Sequence, residues 1–214
     1  MPLAHGLAIL LSQKWVKGRD FWRLVFFSPN LVGQVFVAVL FQVLFIPQYG
    51  LINVALHKIL PAFATDTKWL QEPAHVMPAL VITSIWLYVG FNMIYFLAAL
   101  QAVDKELYEA ATVDGAGPLA QFWHVTVPGI KPVAIFVLIT ATIGSFQLFE
   151  LPYIMLQGHG PNNAGLTIVT YLYENGFITG DLGYASAVGW TLALGVLLIS
   201  LVQMKITGAW KGAE

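Results

Sequence analysis

The chain has 214 residues, of which 58% are hydrophobic and only 10% charged, with a mean hydropathy of +0.74. Soluble domains carry roughly 25% charged residues, so this chain lacks the polar surface to face water on all sides and reads as an integral membrane protein. A net charge of −1 excludes the basic patch that nucleic-acid binding needs, and zero cysteines exclude disulfides and thiolate metal sites.

Leu3 to Gln13 is apolar but only about half the ~20 residues a spanning helix needs. Positive charge follows it, at Lys14, Lys17, Arg19 and Arg23, rather than preceding it as in a signal peptide. The stretch reads as the second half of a membrane helix. Leu24 to Ile46 is free of charge and long enough to cross. Pro29 is expected in its first turns, where a missing amide costs little. Pro47, Tyr49 and Gly50 end that span, Gly50 to Asn53 is expected as a turn, and His57 to His75 reads as a mixed loop with Trp69 at a membrane interface. Val76 to Val103 is the third apolar region, Val133 to Phe149 the fourth and Leu182 to Met204 the last. Between the last two, Gln157 to Gly180 is rich in Gly and Asn and has no Lys or Arg. With no internal repeat or second domain, residues 1–214 are expected to form one transmembrane domain.

Asp104 to Pro132 is a polar island between two of these spans. Asp104 can cap a helix start, and Leu107, Ala110 and Ala111 recur at helical spacing. Gly115 and Gly117 break that helix, Pro118 suits the first turn of a second one, and Pro128 and Pro132 are expected to stop it. Eight of the ten Lys and Arg (Lys14, Lys17, Arg19, Arg23, Lys105, Lys131, Lys205 and Lys211) fall in alternate loops, against Lys58 and Lys68 in the others. The positive-inside rule therefore places the Asp104–Pro132 loop in the cytoplasm and Gln157–Gly180 outside.

Glu109-Ala110-Ala111, then Gly115, then Val125-x-Val127-Pro128 resembles the EAA signature of bacterial ABC importer permeases, with two conservative departures at the Val positions. Asp114-Gly115-Ala116 with Phe122 resembles the sugar-importer version, as do the GLIN stretch Gly50–Asn53 and the GYASA stretch Gly183–Ala187. The Gly158–Asn163 segment resembles the family's Gly-Gly-Pro loop, with His159 in place of a Gly. The resemblance covers about residues 6 to 210 and implies an all-α, type I importer permease: four full spans, a truncated N-terminal one, and a cytoplasmic two-helix coupling loop over 104–132. Such permeases usually have at least six spans, so the chain is expected to be a fragment or to carry a misplaced start. The resemblance also implies a bacterial inner-membrane location and a second permease subunit, forming a heterodimer with this chain. Two ATP-binding-cassette ATPase subunits and an extracytoplasmic solute-binding protein complete the expected partners. ATP hydrolysis belongs to the ATPases: the chain has no Walker-type glycine loop and is expected to need no cofactor. Within the loop, Glu109, Ala110, Ala111, Asp114, Gly115 and Pro128 are the expected ATPase-coupling residues.

For a solute pathway, counting back from Gln101 puts Tyr88 and Asn92 near mid-depth, with Trp86 and Phe91 beside them. Aromatic faces and an amide suit a sugar, whose CH faces stack and whose hydroxyls hydrogen-bond. Ser145, Phe146, Gln147 and Phe149 could supply the opposing wall. A 1.5 Å rise per residue from Lys131 places Ser145 roughly 21 Å and Glu150 roughly 28 Å up the fourth span, near the outer mouth. Two readings stand for these groups: a solute-facing wall, or ordinary helix packing and hydration, in which Ser and Asn join helices. His5, His57, His75, His124 and His159 show no metal-ligand spacing and the serines no nucleophile elbow, so catalysis has no candidate residue. The alternatives to a sugar permease are a permease for another solute, a membrane scaffold, and a secondary transporter, whose inverted repeats and mid-membrane ionisable groups are not evident.

Overall fold

The computed structural model describes residues 1–13, 15–60 and 66–208. Lys14 and Lys211, two of the charges used for orientation, lie outside the described residues, as do positions 61–65 of the expected interfacial loop. The regular structure of the described residues is helical: α1 Pro2–Ser12, α2 Arg19–Leu31, α3 Gln34–Leu44, α4 Leu51–Ile59, α5 Pro73–Ala102, α6 Lys105–Val113, α7 Pro118–Gln121, α8 Val127–Phe146, α9 Glu150–Leu156, α10 Ile168–Tyr173 and α11 Leu182–Thr207. Two π turns, Phe122–Thr126 and Glu174–Ile178, and a 3₁₀ turn, Pro161–Asn163, interrupt or extend them.

Among the described residues, three helices are long and apolar enough to cross a membrane: Pro73–Ala102, Pro118–Phe146 and Leu182–Thr207, of 30, 29 and 26 residues. At 1.5 Å per residue each exceeds the roughly 30 Å hydrocarbon thickness. Only 6% of the apolar window of α11 is buried within the chain, so Leu194, Leu198, Val202 and Ile206 present a surface that water cannot cover cheaply.

The span expected over Leu24–Ile46 is broken. α2 and α3 meet at a bend of 99°, and only if the bent pair counts as one does the number of spans rise from three to four. Gly33 at the start of α3 is extended (φ −56°, ψ 149°) and turns the chain. α2 begins at Arg19, so Pro29 lies in its last turn, not in the first turns of a span. The amide that Pro29 lacks would have bonded the Val25 carbonyl; the Ser28 hydroxyl donates to that carbonyl instead, at 3.0 Å.

The chain divides into two compact units. The first comprises Met1–Asn30, Tyr88–Thr142 and the stretch from Ile199 onward. Its core joins Ala4, Ala8 and Leu11 of α1 to Met93, Phe96, Leu97 and Ala99 of α5 and to Ile130 and Val137 of α8. Alanines four apart on α1 let its backbone approach closely. α2 comes nearer still at Gly90, where an added Cβ would stand 1.8 Å from the Phe26 carbonyl oxygen.

The second unit comprises Leu31–Leu87 and Ile143–Leu198. Here α3 packs on α9, burying Val37, Ala38 and Phe41 with Leu151, Pro152 and Met155. The Gln42 amide donates to the carbonyls of Ile154 (2.9 Å) and Met155 (3.2 Å), groups at the end of α9 that have no partner within the helix. Gly50–Asn53 is not a turn: Gly50 caps α4 and the next three residues are its first turn. Asn53 is buried there, accepting from Trp69 Nε1 at 2.6 Å and donating to the Thr67 carbonyl at 2.9 Å.

Candidate functional site

The polar island forms a braced helical handle. The Asp104 carboxylate accepts from the Glu106 amide at 3.0 Å, satisfying one of the orphan donors at the start of α6. At the other end, Ala116 N–H donates to the Ala111 carbonyl (2.8 Å) and Gly115 N–H to that of Thr112 (3.0 Å). This reciprocal pair needs a left-handed residue after the cap, and Gly115 supplies it at φ +79°. Pro118 sits in the first turn of α7, where its missing amide is harmless.

α7 does not stop at Pro128 or Pro132. It continues through the π turn Phe122–Thr126 into α8, with Pro132 inside the helix. In the π turn Val127 N–H reaches back to the Phe122 carbonyl, one residue further than in an α-helix. That wider turn immediately before Pro128 relieves the ring's clash with the preceding carbonyls, which is why the proline is tolerated. The handle is thus a helix–turn–helix whose second arm is continuous with a span.

No residue of α6 is buried. Glu109, Ala110, Asp114, Gly115 and Pro128 are exposed and Ala111 is half-buried. Leu107, Val113, Leu119 and Trp123 are apolar and exposed by 54%, 88%, 71% and 59%, a surface suited to another protein. The Glu109 carboxylate has no hydrogen bond or ion pair among the described residues. Four residues unforeseen in the sequence brace the two arms. Tyr108 Oη meets Thr126 Oγ1 at 2.9 Å, and Gln121 Nε2 donates to Thr112 Oγ1 (3.0 Å) and to the Ala116 carbonyl (3.1 Å). Tyr108 and Thr112 are four apart and share a face of α6, a signal the sequence does carry. The five-residue spacing of Gln121 and Thr126 makes sense only once the π turn is known.

The expected pathway residues divide between the two units. Tyr88, Phe91 and Asn92 belong to the first, where Phe91 packs edge-on against Tyr95 at 5.1 Å. Trp86 belongs to the second and meets Phe41 edge-on at 5.4 Å while remaining 40% exposed. Ser145, Phe146, Gln147 and Glu150 are exposed. α8 ends at Phe146 and α9 starts at Glu150, so the height reckoned for Glu150 along one straight helix does not apply. Phe149 lies at that break, stacked on Tyr153 (5.2 Å) and tilted against Tyr173 (5.1 Å). Tyr153, Tyr173 and a His159–Glu174 pair in the same unit were not foreseen as site residues.

Residues 7–208 match the family described as binding-protein-dependent transport system inner membrane component. The chain belongs to this family. It is therefore a multi-pass protein of the inner membrane. The arabinooligosaccharides transport system permease protein AraP of Bacillus subtilis (strain 168) is 38% identical over 213 residues, 99% of this chain and 67% of AraP. The lactose transport system permease protein LacF of Rhizobium radiobacter is 34% identical over 95% of this chain and 68% of its own length. The chain thus spans about two thirds of the length of the curated relatives it matches. A chain of a bacterial alginate ABC transporter, crystallised with its pentasaccharide-bound periplasmic protein, superposes with a TM-score of 0.84 at 27% identity, over 96% of this chain and 71% of that one.

Proposed function

We propose that this permease forms half of the translocation pathway of an ABC importer for a sugar or related polar solute, and that it takes its driving force through the α6–α7 handle. The observation that carries the reading is the handle itself: a braced helix pair with no buried residue and, among the described residues, no partner for the Glu109 carboxylate, continuous with a membrane-spanning helix. Closure of two ATPase subunits on the cytoplasmic side would move the handle and tilt α8 as a lever. Glu109 contributes a charge-assisted contact, Ala110 and Ala111 allow close approach, Gly115 sets the turn flanked by Asp114, and Pro128 lies where the handle joins the span. Hydrolysis takes place on those ATPases, not on this chain.

The two units act as one permease domain, with the 104–132 loop inside the cell and 157–180 outside. A second permease chain covers part of the exposed apolar surface of α11 and its neighbours, lipid covers the rest, and an extracytoplasmic binding protein delivers solute. Relatives named for arabino-oligosaccharide, lactose, diacetylchitobiose and trehalose or maltose transport support a saccharide as solute, and Trp86, Tyr88, Phe91, Asn92, Ser145, Phe146, Gln147, Phe149 and Glu150 are the residues that would face it. The test is uptake into proteoliposomes holding the full assembly, with tritiated arabinotriose, lactose, diacetylchitobiose and maltose as probes. ATP-dependent, saturable uptake of at least one is expected; uptake of none by an assembly that hydrolyses ATP would overturn the sugar reading.

A further inference from the structure

The loop after α9 builds a cleft of about 680 Å³ within the second unit, lined among others by Leu70, Gln71, Tyr153, His159, Pro161 and Glu174. That volume lies within the range of small-ligand sites, roughly 300–1,000 Å³. Three features converge on it. Tyr153 is the cleft-side member of an aromatic series, stacked on Phe149 (5.2 Å, 24° between planes) and edge-on to Tyr173 (5.6 Å), which in turn stacks on Phe177 (5.6 Å, 26°). His159 Nε2 pairs with Glu174 Oε1, so an imidazole and a carboxylate are held together at the wall, each partly open to solvent. Gln71 brings an exposed amide from the segment that precedes α5. Left-handed backbone at Gln157 (φ 52°), Gly160 (φ 71°) and Asn162 (φ 50°) folds the loop around this wall, and the Gly165 amide closes it onto the His159 carbonyl at 2.9 Å.

We infer that this cleft is an outer saccharide-binding subsite, separate from the residues assigned to the spans, that receives solute before it enters them. The inference rests on the sugar-permease reading above. Its chemistry is that of carbohydrate recognition: the Tyr153 ring and aliphatic Leu70 and Pro161 against the CH faces, a carboxylate to accept from paired hydroxyls, and imidazole and amide groups that can donate to ring or hydroxyl oxygens.

The test is equilibrium binding of the four tritiated saccharides to the complete assembly in lipid nanodiscs without its solute-binding protein, beside the affinity of that protein for the assembly. Gln71→Trp fills the cleft from an exposed position and leaves the fold alone; Glu174→Gln keeps the shape and removes the charge. The expected result is saccharide binding by the wild type, weakened about tenfold or more in both variants, as for a lost hydrogen bond to a charged group, with docking of the binding protein unchanged. Binding by both variants at wild-type strength overturns the inference, as does a wild type that carries a saccharide yet binds none. Loss of protein docking with saccharide binding intact would make the cleft a protein interface and also overturn it. Failure of the sugar reading is distinguishable, because there the wild type would transport none of the probes.

Discussion

Asn53 shows what one buried amide does in a chain with little polar surface. Its oxygen takes the Trp69 indole proton and its nitrogen gives one to Thr67, closing the segment after α4 back onto it, with Trp69 tilted against Phe45 at 5.4 Å. Asn53→Ala leaves the indole N–H and the Thr67 carbonyl without that partner, at a cost of about 1–3 kcal/mol. Thermal melts of the purified protein, followed by loss of the monodisperse peak in size-exclusion chromatography, are expected to shift several degrees downward; an unchanged melt would show that the contacts are dispensable. Legibility at this scale depended on distance along the chain. Gly115 was readable because the turn that needs its positive φ is local, and the cap at Asp104 for the same reason. The partners of Asn53 lie 14 and 16 residues away, and nothing in the sequence pairs them. Gly90 was equally silent, since its need for a missing Cβ comes from the Phe26 carbonyl on another helix.

Among the elements, apolar length was readable and helix continuity was not. α5 and α11 lie where their charge-free runs placed them, because nothing inside those runs forces a break that packing cannot repair. The α2–α3 bend and the passage of α7 into α8 went the other way. The glycine Gly33 stands at a break within an apolar run, while of two prolines read as stops Pro128 follows a π turn and Pro132 lies inside α8. The handle depends on that continuity, and the Tyr108–Thr126 bond ties its first arm to the π turn. Tyr108→Phe removes one hydrogen bond and no volume, worth about 1 kcal/mol. The expected outcome is a handle that still holds the ATPase subunits but transmits less: ATP hydrolysis stimulated by loaded binding protein should fall by about fivefold, with co-purification of the ATPases unchanged. Full stimulation in Tyr108→Phe would show that the brace carries no load.

For the whole molecule, a chain with 10% charged residues and a spanning helix α11 only 6% buried must be completed by surroundings other than water. The membrane class and the family were legible, because they rest on composition and on one local motif. The residues proposed to face solute are ordinary aromatics and amides whose facing is decided by tertiary packing, which a sequence does not carry, and the His159–Glu174 pair joins residues 15 apart in sequence. The central claim is that the α6–α7 handle couples ATP hydrolysis to this permease without touching solute. Its most direct test is ATPase activity of the reconstituted assembly with and without loaded binding protein, in wild type, Glu109→Ala and Gly115→Val. The first variant removes the carboxylate proposed to make a charge-assisted contact, a contact type worth about 1.5–3 kcal/mol, and the second places a β-branched Cβ at φ +79°, at a cost of at least ~1 kcal/mol. Both assemblies are expected to insert and to pair with the second permease, yet to lose stimulation by loaded binding protein; wild-type stimulation in both would contradict the account.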